Sequence, residues 1–227
     1  PITMVMMFVL GYLLQRGVLN HIVCKGNINA GVIVTFGISM VLQNVLLLAF
    51  TATSKGLEVG MLESVSIRVN EALSIGWLPL VIFLISVVAI AGLQLFQSYT
   101  QMGRAFRAVS DNQAAARLMG INTKHVWAVA MGVSLLIATI GGVMMGIRTT
   151  FDPMLGITRL LTAFEAVIIG GMGSIWGTLL GGIILGLAQT LGAQAFGAAW
   201  STVVGHLVFL VILALRPQGF LARTVTT

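Results

Sequence analysis

Long apolar stretches, separated by short polar segments, constrain this chain more than any other feature. A helix that crosses a bilayer needs about 20 mostly apolar residues. Stretches of that length cover residues 28–50, 77–97 and 125–147, and residues 157–215 are apolar almost without interruption. Charged residues make up only 8% of the sequence, against roughly 25% in a soluble domain. We therefore predict an all-α, polytopic transmembrane helical bundle that forms a single domain over residues 1–227.

The charges of the polar segments predict an orientation, because cytoplasmic loops of membrane proteins are enriched in Lys and Arg. Residues 16–27 are basic, residues 51–76 hold two bases against three acids, and residues 98–124 hold four bases against one acid. We expect these segments to be cytoplasmic, external and cytoplasmic in turn. The last polar segment, with Arg216 and Arg223, is basic and is expected to be cytoplasmic again.

This orientation requires three spans in the last third of the chain, which brings the total to about seven. We place them near residues 156–171, 174–194 and 198–216, with glycines at the breaks between them. The first of these is short and contains Glu165, so a re-entrant segment is the alternative there. The chain opens inside a shorter apolar stretch, Pro1 to Leu14, which we interpret as the end of a truncated span. N-terminal spans are therefore expected to be missing.

Several function classes are excluded by how the polar residues are placed. The net charge of +6 does not indicate nucleic-acid binding, because the basic residues are scattered singly between apolar runs. Cys24 and His206 have no second ligand at metal spacing. The glycines near residue 171 lack the strand and the Gly-Lys-Ser/Thr of a phosphate loop, and no catalytic constellation recurs on one face. We expect a chain that is not an enzyme and that binds no metal, cofactor or nucleic acid itself.

The polar segment at residues 98–124 carries the most informative local pattern. Ser110 and Gln113 have the spacing of a capping box, and Asp111 would then lie in the first turn, where the helix dipole favours an acid. Alanines at 114–116 favour helix, and Gly120 can end it. This pattern predicts a helix of about two to three turns, too short to span. Such a helix must be held by its own bundle or by a groove on a partner.

Several blocks of sequence are informative as a set. One block runs from Gly103 to Ala108 and is followed, after paired alanines, by residues 118–121, Leu-Met-Gly-Ile. Further blocks are residues 37–44, 164–174, 177–182 and 216–219. Together these blocks resemble the permeases of ATP-binding cassette (ABC) importers for branched-chain amino acids. They cover most of the chain in the order expected for that family, so the set is far more specific than any one block alone.

The resemblance implies the larger, type II-like helical architecture and a multi-pass permease of a bacterial inner membrane. It also implies a second permease subunit, an external substrate-binding protein, and two cytoplasmic ATPases that hold ATP and Mg. Residues 98–124 would then be the coupling loop that docks on an ATPase, with the candidate residues Arg104, Arg107, Ser110, Asp111, Ala114, Ala115, Arg117, Leu118 and Gly120. A permease for urea, short amides or sugars is an alternative, and an ion-coupled secondary transporter is one from another class.

Polar residues within the apolar stretches are candidates for the substrate pathway. Gln43 and Asn44 are adjacent amides that either bond neighbouring helices or line the pathway. A charge such as Glu165 costs about 3 kcal/mol near mid-membrane. Glu165 therefore either lines the pathway, where it could contact a substrate ammonium, or lies near a helix end and pairs locally, for instance with Arg159. His206 is expected to be a satisfied histidine of the bundle.

Glycines are concentrated in the same last third of the chain. Small residues spaced four apart let two helix backbones approach closely, and adjacent glycines allow a tight turn between helices. We expect these roles within the subunit or between permeases, for the candidate packing residues Gly170, Gly171, Gly173, Gly177, Gly181, Gly182 and Gly186.

Overall fold

The computed structural model describes residues 1–23, 28–51, 53, 56, 66–70 and 73–221. Two compact units are resolved, Pro1–Pro153 and Met154–Thr227. The first unit contains α1 (Ile2–Leu14), a π-helical turn (Gln15–Leu19), α2 (Asn20–Val23), α3 (Ile28–Phe50), α4 (Trp77–Tyr99), α5 (Gln101–Asp111), α6 (Gln113–Leu118) and α7 (Thr123–Arg148). The second contains α8 (Leu155–Gly170), α9 (Ile175–Phe196), a 3-10 turn (Ala198–Trp200) and α10 (Ser201–Leu215).

Six helical segments among the described residues are long and apolar enough to cross a membrane. They are Ile2–Leu19, Gly31–Phe50, Trp77–Tyr99, Thr123–Arg148, Ile175–Phe196 and Ala198–Leu215. The predicted all-α, polytopic class is therefore confirmed, with six such segments where about seven spans were expected. The predicted span that is not among the six corresponds to α8. Its 16 residues rise only about 24 Å, less than the ~30 Å of a typical hydrocarbon core.

A two-stranded β-hairpin lies in the segment that the sequence indicated only as a polar loop. β1 (Ser66–Asn70) pairs antiparallel with β2 (Leu73–Gly76), with Ser66 opposite Gly76 and Ile67 opposite Ile75. Gly76 is also the N-cap of α4, and its backbone is extended there. The hairpin therefore leads directly into the start of an apolar span.

Close packing of α1 against α7 forms the main seam of the first unit. A Cβ added at Gly11 would meet the Met131 carbonyl oxygen at 3.0 Å, and one added at Gly132 would meet the Phe8 ring at 2.9 Å. Such distances leave no room for a side chain at either glycine. The two backbones thus approach as closely as small residues in membrane helices allow.

Buried amides fasten one end of that seam. Gln15 Nε2 donates to Asn20 Oδ1 (3.2 Å), and Asn20 Nδ2 donates to the carbonyl oxygen of Lys124 (3.1 Å). Both amide side chains are buried. The Tyr12 hydroxyl lies 3.1 Å from His125 Nδ1. These bonds join the end of α1 to the first turn of α7, which directly follows α6 in the chain.

The second unit is built on contacts between helix backbones. α8 and α9 run antiparallel, because Gly170 lies against Gly177 while Ala166 lies against Gly181. A Cβ added at any of these three glycines would lie well under 3.0 Å from a carbonyl of the facing helix. α9 meets α10 where a Cβ at Gly192 would touch the Val204 side chain.

The remaining candidate packing glycines fall into two groups. Gly171 and Gly173 have φ angles of 98° and 90°, a conformation that glycine adopts without steric cost, and they form the turn from α8 to α9. Gly182 and Gly186 are different, because an added Cβ there would have open space around it within the described residues. These two glycines lie on the exposed side of α9 and do not contribute to its packing on α8.

Residues that follow α10 return to the end of α8. The backbone N–H of Phe220 donates to the carbonyl of Ile169 (2.9 Å), and that of Leu221 to the carbonyl of Gly170 (3.0 Å). These carbonyls belong to the last turn of a helix, which has no partner for them within the helix itself. α8 and α10 therefore end at the same face of the unit, as expected if both cross in the same direction.

Candidate functional site

Three side-chain caps define the segment between α4 and α7. Thr100 Oγ1 accepts from the Gly103 N–H (3.0 Å) at the start of α5. Asn112 Oδ1 accepts from the Ala115 N–H (3.0 Å) at the start of α6, and Asn122 Oδ1 from the His125 N–H (3.2 Å) at the start of α7. Each cap satisfies a backbone donor that the helix itself leaves free. The segment is thus two short, separately bounded helices.

The predicted capping box is wrong, because the helix boundary lies two residues later. Ser110 and Asp111 are the last two residues of α5, and Asn112 is the N-cap of α6. Asn112 has the extended backbone that an N-cap requires (φ −152°, ψ 100°). α5 begins after its N-cap Thr100 and continues to Asp111, with Val109 buried near its end. Asp111 therefore lies at the end of a helix and not in a first turn.

The end of α6 is the one that the sequence predicted. Gly120 has a φ of 80°. Its N–H donates to the Arg117 carbonyl, and the Ile121 N–H donates to the Ala116 carbonyl, each at 3.0 Å. This pair of bonds is the Schellman arrangement, which needs a left-handed residue after the helix. The chain turns sharply there.

A small apolar cluster anchors the α5–α6 segment, while the tip of the segment, Leu118 and Met119, is exposed. Val109, Ala116 and Val126 are almost fully buried against one another, with Phe106 and Ile121 packed on them. At the tip, Leu118 is 90% exposed and Met119 is 82% exposed. The sequence singled out Leu118 and included Met119 in the predicted docking range, and the turn at Gly120 follows directly after both.

The other coupling candidates surround that tip. Arg117 is tied back to α7, because its Nε donates to Thr123 Oγ1 (3.1 Å). The remaining ones are exposed to solvent on the outer side of α5 and α6: Arg104, Arg107, Ser110, Asp111, Ala114 and Ala115. The structure therefore leaves these candidates exposed, with the apolar Leu118 next to Arg117 at the end of α6.

The first two pathway candidates lie on α3. None of residues 31–50 is buried within the described part of the chain. Asn44 is exposed, and its Nδ2 donates to the Met40 carbonyl of its own helix (2.8 Å), while Gln43 is half-buried. Further along α3, a cleft of about 400 Å³ opens between its end and the residues after α7, lined by Leu46, Phe50, Thr51, Thr53, Phe151, Asp152 and Pro153.

Glu165 and His206 form a pair that sequence reasoning did not find. Glu165 is only 8% exposed, and its Oε1 is in short hydrogen-bond contact with Nδ1 of His206, 41 residues away on α10. The other oxygen, Oε2, is buried and has no hydrogen-bond partner among the described residues. The suggested local pairing with Arg159 is therefore wrong, whereas the prediction that His206 is satisfied within the bundle is confirmed.

Comparison with known proteins places this architecture among transport proteins. Residues 1–213 match the family described as "Branched-chain amino acid transport system / permease component". The chain is 30% identical over 202 residues to the High-affinity branched-chain amino acid transport system permease protein BraD of Pseudomonas aeruginosa, covering 87% of this chain and 66% of that protein. No solved structure matches the chain.

Two further relatives cover shorter stretches. The High-affinity branched-chain amino acid transport system permease protein LivH of Escherichia coli K12 is 34% identical over 155 residues, with 68% of this chain and 50% of that protein covered. The Ribose import permease protein RbsC of the same organism is 29% identical over 141 residues, with 59% and 44% covered. The chain thus spans between half and two thirds of the length of these branched-chain relatives.

Proposed function

The chain belongs to the family of permease components of branched-chain amino acid transport systems, and from this premise we propose that it is one membrane-spanning subunit of an ATP-driven importer. Its substrates are branched-chain or similar apolar amino acids, taken up across the inner membrane of a bacterium. It works with a second permease subunit, two cytoplasmic ATPases that hold ATP and Mg, and an external substrate-binding protein.

The exposed tip of the α5–α6 segment is the observation that carries this proposal. Two large apolar side chains, Leu118 and Met119, stand in solvent on a short helix. The helix is fixed from below by a buried cluster and is bounded at both ends. Exposed apolar side chains held on a rigid base, with cationic neighbours, suit docking into an apolar groove with an acidic rim. We assign that groove to the partner ATPase.

Transport then requires two states of the membrane helices. Closure of the two ATPases around ATP moves the tip, and the movement passes to α7 through the turn at residues 119–122. ATP and substrate drive the change only if each binds the two states with different affinity. Substrate passes polar groups in the apolar spans, for which we propose Gln43, Asn44 and Glu165.

A sugar importer is the second candidate, since two ribose permeases match 59% of the chain. The coupling segment would act in the same way, and only the pathway would differ. Uptake into vesicles that contain the complete transporter and its binding protein separates the two. We expect accumulation of L-leucine driven by ATP, and accumulation of ribose in its place would favour the sugar importer.

Co-purification with candidate ATPase subunits tests the docking step. The full-length chain is extracted from membranes as wild type, as Leu118→Asp, and as Gln101→Glu. The last variant adds one negative charge to an exposed residue of the same segment, away from the tip. We expect Leu118→Asp to weaken ATPase association about tenfold or more, as for a central interface residue, and Gln101→Glu to retain it.

Two results would contradict the proposal. If no ATPase associates with the wild type, the importer assignment fails. If Leu118→Asp and Gln101→Glu retain the ATPase equally, the docking surface lies elsewhere on the chain.

A further inference from the structure

The pair of Glu165 and His206 lies among helices that carry few ionisable side chains. Between Leu155 and Leu215 the sequence holds three ionisable side chains, Arg159, Glu165 and His206, and α9, which packs on both other helices, contributes none. A carboxylate in a membrane span needs a cation or a proton, because an unpaired charge there is costly. His206 supplies the contact to Oε1.

The surroundings of the pair differ from the other seams of the unit. α8 meets α9, and α9 meets α10, over long stretches, whereas α8 and α10 meet over a short one. The α8–α9 seam is backbone against backbone, at glycines. Across the α8–α10 seam, a polar bridge joins two side chains instead. Of the three seams, this one can open with the least loss of packing.

The exposure of His206 indicates what the seam faces. Its side chain is 41% exposed, while that of Glu165 is 10% exposed. His206 lies within the apolar segment Ala198–Leu215, and an imidazole at that depth is accommodated against protein or water and not against lipid chains. The open side of the pair is therefore expected to face protein or water and not lipid chains.

The free oxygen of Glu165 completes the case for a ligand. A carboxylate can accept several hydrogen bonds on its two oxygens, and here Oε2 is buried with none from the described residues. Burying such an acceptor without a partner is unfavourable. A compact donor with several N–H groups that entered the seam would satisfy it.

We propose that Glu165 is the binding site for the primary ammonium group of the transported amino acid, with His206 as the group that holds the carboxylate when substrate is absent. This inference rests on the proposed function and assigns its substrate contact. The ammonium displaces the imidazole from Oε1 and also reaches Oε2 with its remaining N–H groups. One partner replaces another, so the carboxylate keeps a polar contact in both states while the α8–α10 seam opens.

Binding of an amine without a carboxylate tests the assignment. The full-length chain, purified with its ATPase partner but without the binding protein, is titrated calorimetrically with 3-methylbutylamine and with 4-methylpentanoate. We expect the amine to bind and the acid not to bind. In Glu165→Gln, amine affinity should fall about tenfold or more, the loss of more than 1.4 kcal/mol. Thr162→Val, one turn earlier on α8, is the matched control and should bind the amine as the wild type does.

A second variant distinguishes a His206 side chain that the amine displaces from one that only joins α10 to α8. In His206→Gln a neutral amide replaces the imidazole, so the amine should meet a weaker competitor and bind severalfold more tightly. A structural bridge predicts unchanged or weaker binding, which would overturn the role of His206. Melting temperatures of all variants, and of the double variant Glu165→Gln/His206→Gln, identify loss of folding.

The inference fails if the wild type does not bind the amine, or if folded Glu165→Gln binds it as well as the wild type. Either result leaves the proposed function intact as long as the wild-type complex associates with its ATPase and accumulates leucine. Loss of those two activities would count against the proposed function itself.

Discussion

At the scale of single residues, adjacent glycines on α9 have opposite surroundings. Gly181 lies against the carbonyl of Ala166, with no room for a methyl group, whereas Gly182 faces open space. The two residues differ only in the direction in which a side chain would project, about 100° apart around the helix. Packing between α8 and α9 therefore depends on the first and not on the second.

Exchange of these neighbours for alanine tests the contact. Gly181→Ala forces a Cβ into a backbone carbonyl, so we expect destabilisation of about 1–3 kcal/mol or more. Gly182→Ala should be neutral or slightly stabilising, because alanine favours helix by about 1 kcal/mol. Thermal unfolding of both variants in the same detergent gives the comparison, and equal melting temperatures would show that α8 and α9 do not touch at residue 181.

The sequence reached some of these residues and not others, for physical reasons. Spacing alone marks Gly177, Gly181, Gly182 and Gly186 as small residues four apart, but the rotation of α9 against α8 decides which of them is enclosed. Glu165 is conspicuous in an apolar run, yet its partner is 41 residues away. Only the packing of α8 against α10 brings the two together, and no local pattern encodes that packing.

At the scale of helices, the α5–α6 segment depends on which of two nearby polar residues caps α6. Ser110 and Asn112 can both accept a hydrogen bond from a backbone N–H. In the structure Asn112 does so, with Ala115 as donor, and Ser110 lies exposed in the last turn of α5. The choice leaves α6 with six residues, so the position of the tip is sensitive to its cap.

Removal of each hydroxyl or amide distinguishes the two caps. Asn112→Ala should cost about 1 kcal/mol and let α6 fray, while Ser110→Ala should have little effect and Asn112→Ser should restore the helix. Amide hydrogen exchange at residues 113–118 measures the result in the purified protein. Faster exchange in Ser110→Ala than in Asn112→Ala would contradict the observed cap and favour the predicted one.

Helix existence was easier to predict than helix ends. Each span in the described residues coincides with an apolar stretch of the sequence. This is expected because a helix that crosses the bilayer contacts lipid with apolar side chains along the whole length of the span. The polar segment at 98–124 lacks that constraint, and its boundaries are set by competing caps. The pairing of β1 with β2 was likewise missed, since the strands are only five and four residues long.

At the scale of the whole molecule, the direction of α8 decides the topology of the last third. α8 has 16 residues, fewer than any of the six described segments that are long and apolar enough to cross a membrane. It nevertheless ends at the same face as α10, because Phe220 and Leu221 bond to its last carbonyls. We therefore favour a crossing helix over a re-entrant one.

Labelling of single cysteines from one side of the membrane tests that topology. Cys24, the one cysteine of the sequence, is first replaced by serine, and cysteine is then introduced at exposed positions 110, 172 or 199. With an impermeant maleimide we expect positions 110 and 172 to react from the cytoplasmic side and position 199 from the outside. Reaction of position 172 from the outside would show that α8 turns back within the membrane.

The bonds that Phe220 and Leu221 make to the end of α8 also bear on how the protein is made. About 50 residues separate Gly170 from Leu221, so at roughly 5–20 residues per second a growing chain carries α8 for several seconds before its last carbonyls meet their partners. During that interval the insertion machinery or interfacial water must satisfy them. A nascent chain arrested after Arg216 would therefore contain all three helices of the unit and still lack the hydrogen bonds from Phe220 and Leu221 to the end of α8.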